Sequence, residues 1–158
     1  VRPTSERARQ AFFNIVGERI DGARFLDLFA GSGIFSFEAV SRGAKESVAI
    51  DSSRAHTAAI EKTAKEFGIP VRAVTADALS GIKRTGGEVF DVIYADPPYA
   101  YEHYDDLLLS IDGASLASDA IVAVEHRRRS EPFTVTPQHL KFTRRAEYGE
   151  VWISFFIS

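Results

Sequence analysis

Four consecutive residues, Asp96-Pro97-Pro98-Tyr99, carry the most specific chemistry in this sequence. Two prolines in a row remove two backbone donors and fix φ, and each holds the residue before it extended. What remains is a stiff segment whose carbonyls, with the Asp96 carboxylate, present acceptors and few competing donors. That surface suits an amino group conjugated to an aromatic ring, whose delocalised lone pair is a poor nucleophile. Accepting hydrogen bonds from both of its N–H groups orients the nitrogen and favours the tetrahedral geometry from which the lone pair can attack. Tyr99 adds a ring on which a base taken out of its helix can stack. The plainer reading of the same residues is a rigid turn at a strand end.

A second group of residues suits a ligand with a nucleoside and a charged tail. Asp27-Leu28-Phe29-Ala30-Gly31-Ser32-Gly33 places small residues, Ala30, Gly31, Ser32 and Gly33, where backbone N–H groups can approach a ligand at a helix N-terminus. A dinucleotide fingerprint would require a third glycine, but Ser36 stands there. Asp27, just before the turn, favours a cationic amino-acid moiety over a diphosphate. Asp51 lies 18 residues beyond Gly33, near the offset of about 20 at which a carboxylate meets ribose hydroxyls. With Ser52 it also reads as the approach to a helix cap. Asp77-Ala78 can read an adenine through a carboxylate and a backbone N–H, or simply cap the next helix.

These residues need elements to position them. Helical spacing of Ala8, Ala11, Phe12, Ile15 and Val16 predicts a first helix, with Thr4 or Ser5 as its cap. Strands are expected over 24–29, 47–51, 71–75, 89–95 and 120–125. Helices are expected from Gly33 to about Arg42, over 54–67, from 78 through 82, and near 103–110. Such alternation builds a parallel sheet with helices on both faces. Residues 140–148 and 150–157 flank Gly149 too closely for a crossover helix and read as an antiparallel hairpin. The candidate residues would then share one edge of the sheet, where open α/β folds bind their ligands.

The 158 residues make one domain, with 45% hydrophobic and 26% charged residues. The absence of cysteine excludes thiolate metal sites and cysteine nucleophiles. No apolar run is long enough for a membrane span, no residues show metal-ligand spacing, and a cytoplasmic monomer is expected. Without a methionine at position 1, the native chain is expected to extend upstream of Val1. The net charge of −3 argues mildly against nucleic acid, yet a local patch is possible. His126-Arg127-Arg128-Arg129 leaves the fifth strand at the edge that carries Asp96, where three arginines would attract phosphates. Arg2, Thr4, Arg7 and Arg9 extend that candidate surface. Tyr101, His103 and Tyr104 are read as a lid, a second stacking surface or simply the start of a helix, His56 and His139 as surface residues, and Trp152 as core.

Taken together, the sequence resembles the bacterial 16S ribosomal RNA guanine-N2 methyltransferases, the RsmD-like enzymes. The resemblance rests on Arg2-Pro3-Thr4-Ser5-Glu6-Arg7, Phe13-Asn14, the run from Leu26 to Gly33, Glu38-Ala39-Val40-Ser41-Arg42-Gly43-Ala44, and Ala95-Asp96-Pro97-Pro98-Tyr99. It implies a Rossmann-like class I methyltransferase fold that transfers a methyl group from S-adenosylmethionine to N2 of a guanosine in 16S ribosomal RNA or the small ribosomal subunit. Asp96 and Pro97 would hold the amino group, Tyr99 would stack, and Asp27, Gly31, Gly33, Asp51 and Asp77 would hold the cofactor. The helix after the glycine turn, Ile34-Phe35-Ser36-Phe37, is bulkier than the family's usual small-residue version. Competing readings are a DNA adenine-N6 or cytosine-N4 amino-methyltransferase, a protein glutamine methyltransferase (which would have asparagine at position 96), and a non-catalytic cofactor- or RNA-binding module.

Overall fold

A computed structural model describes residues 3–127 and 132–158. Arg2, Arg128 and Arg129 lie outside them. The first helix, α1 (Pro3–Val16), begins on a proline, whose missing N–H costs nothing in a first turn. Thr4 and Ser5 therefore sit inside the helix and not at its cap. Beyond a 3₁₀ turn at Gly17–Ile20, strands and helices alternate as β1 (Arg24–Leu28), α2 (Ile34–Ser41), β2 (Glu46–Asp51), α3 (Arg54–Phe67), β3 (Val71–Thr75), α4 (Ala78–Arg84), β4 (Phe90–Ala95), α5 (Tyr104–Asp112) and β5 (Leu116–Arg127). The chain then closes with β6 (Lys141–Tyr148) and β7 (Val151–Ile157).

The seven strands form one sheet in the order β3-β2-β1-β4-β5-β7-β6. The first five are mutually parallel, while β7 runs antiparallel to both β5 and β6. This is the expected Rossmann-like sheet with a C-terminal antiparallel hairpin, and the later strand of the hairpin takes the inner place. Chain order reverses between β1 and β4, which opens a crevice at the C-terminal ends of the strands.

Period-two alternation separates the two faces of the sheet. On one face Phe25, Val92, Tyr94, Ala123, Ile153 and Phe155 pack under α1 and α2, with Phe12 and Phe13 of α1 at the centre. On the other face Leu26, Ile93, Val122 and Phe156 pack against α4 and α5. Covered on both faces, the central strands are almost wholly apolar. Glu38 ties α1 to α2 by accepting from Arg9 Nε and Arg42 Nε, each at 2.8 Å. Arg9 is thus a structural residue, while Arg7 is exposed.

Several element ends differ from expectation, α4 among them, which runs on to Arg84. The first strand stops at Leu28 because Phe29 takes a left-handed conformation (φ 60°). The fifth runs to twelve residues, with Leu116 paired to Phe90, a register shift, and Asp119 at φ 60° before the regular pairing resumes at Ile121. Trp152 is half-buried against His126 and Arg145 and is not a core residue.

Candidate active site

The turn after β1 is held from below by Asp27. Its carboxylate is 2% exposed and accepts from the backbone N–H of Ser36 (3.1 Å) and from Ser36 Oγ–H (2.7 Å). Ser47 Oγ–H donates to Ser36 Oγ at 2.8 Å, so the residue in the third-glycine position links β1, β2 and α2. Burial pushes the Asp27 carboxyl up to about 7; the Ser36 bonds oppose the rise and the charge of Asp51 adds to it. Asp27 thus aims into the start of α2 and fixes the turn from below. Glycine at position 33 is required twice over. Its φ is +81°, and a Cβ there would stand 2.9 Å from Ile60 Cγ1.

Asp51 closes the other side of the turn. Its Oδ2 accepts the Gly31 N–H and its Oδ1 the Ser53 N–H, both at 2.8 Å, while His56 Nδ1 lies 3.1 Å from Oδ1. Burial raises this carboxyl, but the Ser53, Gly31 and His56 interactions outweigh it and hold it below its usual range. His56 is therefore part of the site's framework, an interaction visible only once α3 is placed. Asp77 caps α4 by accepting the Ser80 N–H at 3.0 Å, and that bond holds its carboxyl low.

Asp51, Ser52, Asp77 and Ala78 line one cavity of about 310 Å³ with Phe29, Ala76, Leu79 and Tyr101. The left-handed backbone at Phe29 turns its ring to meet Tyr101 edge-on at 5.2 Å. A slot lined by aromatic rings and carboxylates can take a planar heterocycle and the diol of its sugar. Ala30, Gly31, Ser32 and Gly33 form the adjoining turn, with the Gly33 N–H donating to the Ala30 carbonyl at 2.8 Å.

Asp96 follows β4 directly, its N–H donating to the Leu28 carbonyl at 3.3 Å. Asp96 is exposed, Pro97 buried and Tyr99 73% exposed. The Pro98 carbonyl accepts the Tyr101 N–H at 3.0 Å, so that acceptor closes the turn. A second cavity of about 120 Å³ is lined by Asp96 to Tyr99, Tyr104, Glu125, His126, Arg127, Glu150 and Val151. The Arg127 guanidinium lies 3.2 Å from the Tyr99 ring centroid. Tyr101 and His103 belong to the first cavity and Tyr104 to the second, so the two sites share the segment 97–104.

The structure therefore brings Phe29, Asp51, Ser52, Asp77 and Ala78 to one cavity and Asp96 to Tyr99 to a second, while the turn from Ala30 to Gly33 lies beside the first and Asp27 is buried beneath that turn, lining neither. Tyr104 lines the second cavity as one of the aromatic residues read beside the motif, whereas Glu125 and Glu150 were not expected there. Only the β4–β5 and β5–β7 pairings put them there. Among the described residues, no group of His, Asp or Glu has the geometry to hold a metal ion, and no helix is long and apolar enough to cross a membrane.

Comparison with known proteins identifies the family and supports the fold. The family model described as Conserved hypothetical protein 95 matches residues 1–157. YlbH of Bacillus subtilis (strain 168) is 35% identical over 167 residues, spanning 98% of this chain and 86% of its own. Ribosomal RNA small subunit methyltransferase D of Escherichia coli (strain K12) is 32% identical over 153 residues, 96% of this chain and 76% of its own. Among solved structures, yhhF from Escherichia coli superposes with a TM-score of 0.85 at 26% identity, covering 99% of this chain and 87% of that one. Matched over nearly its whole length in both sequence and fold, the chain belongs to the Conserved hypothetical protein 95 family, that of the RsmD-like methyltransferases.

Proposed function

We propose that this protein transfers a methyl group from S-adenosylmethionine to the exocyclic N2 of a guanosine in 16S ribosomal RNA, acting in the cytoplasm as a monomer on the RNA or the small subunit. The observation that carries the reading is the pair of adjoining cavities, one sized for a nucleoside and one opening on Asp96-Pro97-Pro98-Tyr99. The ribosomal RNA assignment draws on the printed name of the Escherichia coli relative.

The residues of the first cavity fit the cofactor. Asp51 is preset as an ionised acceptor for ribose hydroxyls, Asp77 and Ala78 stand where an adenine edge would lie, and the Phe29–Tyr101 wall suits a flat ring. The turn from Ala30 to Gly33, braced by Asp27, would take the amino-acid tail. Bound there, S-adenosylmethionine supplies a methyl group already activated by its sulfonium, so no protein nucleophile is required.

The chain's own task is orientation. Asp96 accepts an N–H of the amine, draws its lone pair out of the ring, and receives the proton that the nitrogen sheds. Pro97 and Pro98 keep that carboxylate from shifting, and Tyr99 stacks on the base. Arg127 and Arg7 would meet phosphates, with Thr4 at the helix start. The candidate contacts Arg2, Arg128 and Arg129 lie outside the described residues.

The test is to incubate the protein, and an Asp96→Ala variant, with methyl-labelled S-adenosylmethionine and small subunits lacking their native guanine methylation. Digestion to nucleosides is expected to place the label in N2-methylguanosine with wild type and nowhere with the variant. Label in N6-methyladenosine would replace the substrate, and absence of cofactor binding would overturn the whole reading.

A further inference from the structure

The cavity at the ends of β4 and β5 holds a second carboxylate that amino-group activation does not use. Ala95 pairs with Val124 across these parallel strands, so Glu125 stands beside Asp96 one step further along, with backbones roughly 5 Å apart. Both line the 120 Å³ cavity. Beneath them Tyr94 is fully buried, stacked on Phe35 at 3.9 Å, and donates its phenolic hydrogen to Glu125 Oε2. Burial and the charges of Glu125 and Asp96 push that phenol well above its ordinary value, so Tyr94 stays a donor. The bond from Tyr94 fixes the position of the Glu125 carboxylate at the cavity wall.

Guanine is the base whose exocyclic amine is flanked by a ring N–H on its pairing edge. Adenine and cytosine put a ring lone pair in the corresponding place. Two neighbouring carboxylates match two neighbouring donors and repel a lone pair, and mismatched polar groups in such a site give strong rejection. We infer that Glu125 determines base specificity by accepting the N1–H of guanine while Asp96 accepts the N2 amine. This rests on the methyl-transfer reading above and names how its substrate is chosen.

The decisive substrate is 2-aminopurine, which keeps the amine at C2 but replaces the N1–H by a lone pair. Small subunits would be reconstituted from RNA carrying guanosine or 2-aminopurine riboside at the position the wild type labels. Wild type is expected to favour guanosine by about 100-fold or more in kcat/KM. Glu125→Gln, whose amide can donate to the lone pair, is expected to shrink that ratio by at least about tenfold, with S-adenosylhomocysteine affinity unchanged by calorimetry. An unchanged ratio, with both rates falling together, would overturn the inference and leave Glu125 a structural residue. Should the Gln variant not fold, Glu125→Asp decides: loss on guanosine alone supports the role, equal loss on both substrates removes it. A wild type that labels no guanosine overturns the methyl-transfer reading itself, a result distinct from either.

Discussion

Along the β3–β2–β1 half of the functional edge, the three aspartates are already engaged by N–H groups of their own turns and helix starts, Asp27 by Ser36, Asp51 by Gly31 and Ser53, Asp77 by Ser80. Along the β4–β5 half, carboxylates stand side by side around a cavity, and an exposed tyrosine ring is covered by an arginine. The first half is built before any ligand arrives, which keeps the entropic cost of binding low. In the second, contacts such as Arg127 on Tyr99 occupy a surface that a base would need, so binding there exchanges one stacking partner for another. A cofactor that never varies suits the first plan, and a base delivered on a large RNA suits the second.

Substitutions can break or sharpen this contrast. The largest effect is expected from Asp96→Ala, which should lower kcat by about 10³-fold. Cofactor affinity should stay within about twofold, since Asp96 lines the other cavity; single-turnover labelling and calorimetry would measure the two separately. A joint loss would show that the halves are not independent.

Next comes stability. Asp112, 7% exposed, accepts the N–H groups of Gln138, His139 and Leu140 at 2.8–2.9 Å, pinning the approach to β6 beside α5. Asp112→Ala should cost about 3 kcal/mol through buried donors left unpaired. Burial raises the Asp112 carboxyl, but the three N–H groups prevail and hold it low. Its stabilisation is therefore present above the ordinary aspartate range and lost as pH falls below it. Thermal melts from pH 7 to pH 3 would record this.

Asp27 has the opposite sign. Raised to about 7 by burial, it holds a proton in the folded state that the unfolded chain releases, so stability should decline as pH rises from about 4 to about 7. Asp27→Asn should flatten that stretch of the melting profile, removing a slope worth on the order of 2–4 kcal/mol. A slope that survives the substitution would assign it to another group.

Smaller effects belong to the RNA side. Tyr99→Ala should raise KM for the RNA roughly tenfold, the worth of one stacked base, with kcat less affected. Arg127→Ala should lower the slope of log affinity against log salt by about one. If Arg127→Ala instead tightened binding, its hold on the Tyr99 ring would be the stronger of its two interactions.

What could be read from the sequence was local. Helix 54–67 and strand 71–75 were legible to the residue, because Ser53 accepts the His56 N–H as a cap and Gly68 takes φ 64° at the other end. Asp51, Asp77 and the Asp96 motif were legible because each combines a residue type with a turn a few positions away. The extent of β5 was hidden, since its early part depends on pairing with Phe90 and on a left-handed Asp119 that no composition signals. Glu125 and Tyr94 are 31 positions apart, and nothing in either segment names the other until strand register is known. His56 is the exposed residue its sequence suggested, and only its contact with Asp51, five positions back across a helix start, went unread.

The place of β7 sets the order in which the molecule can be finished. It lies between β5 and β6, both made before it, and Glu150 just before it and Val151 at its start line the cavity that Asp96 also lines. A nascent chain that has emerged through Tyr148 has every residue of the cofactor cavity, yet β5 and β6 lack the strand that joins them. Closing that gap requires late, long-range pairing, the slow kind. The cavity proposed for the nucleoside can thus assemble while the protein is still being made, whereas the one proposed for the base closes only after β7 has slid into place.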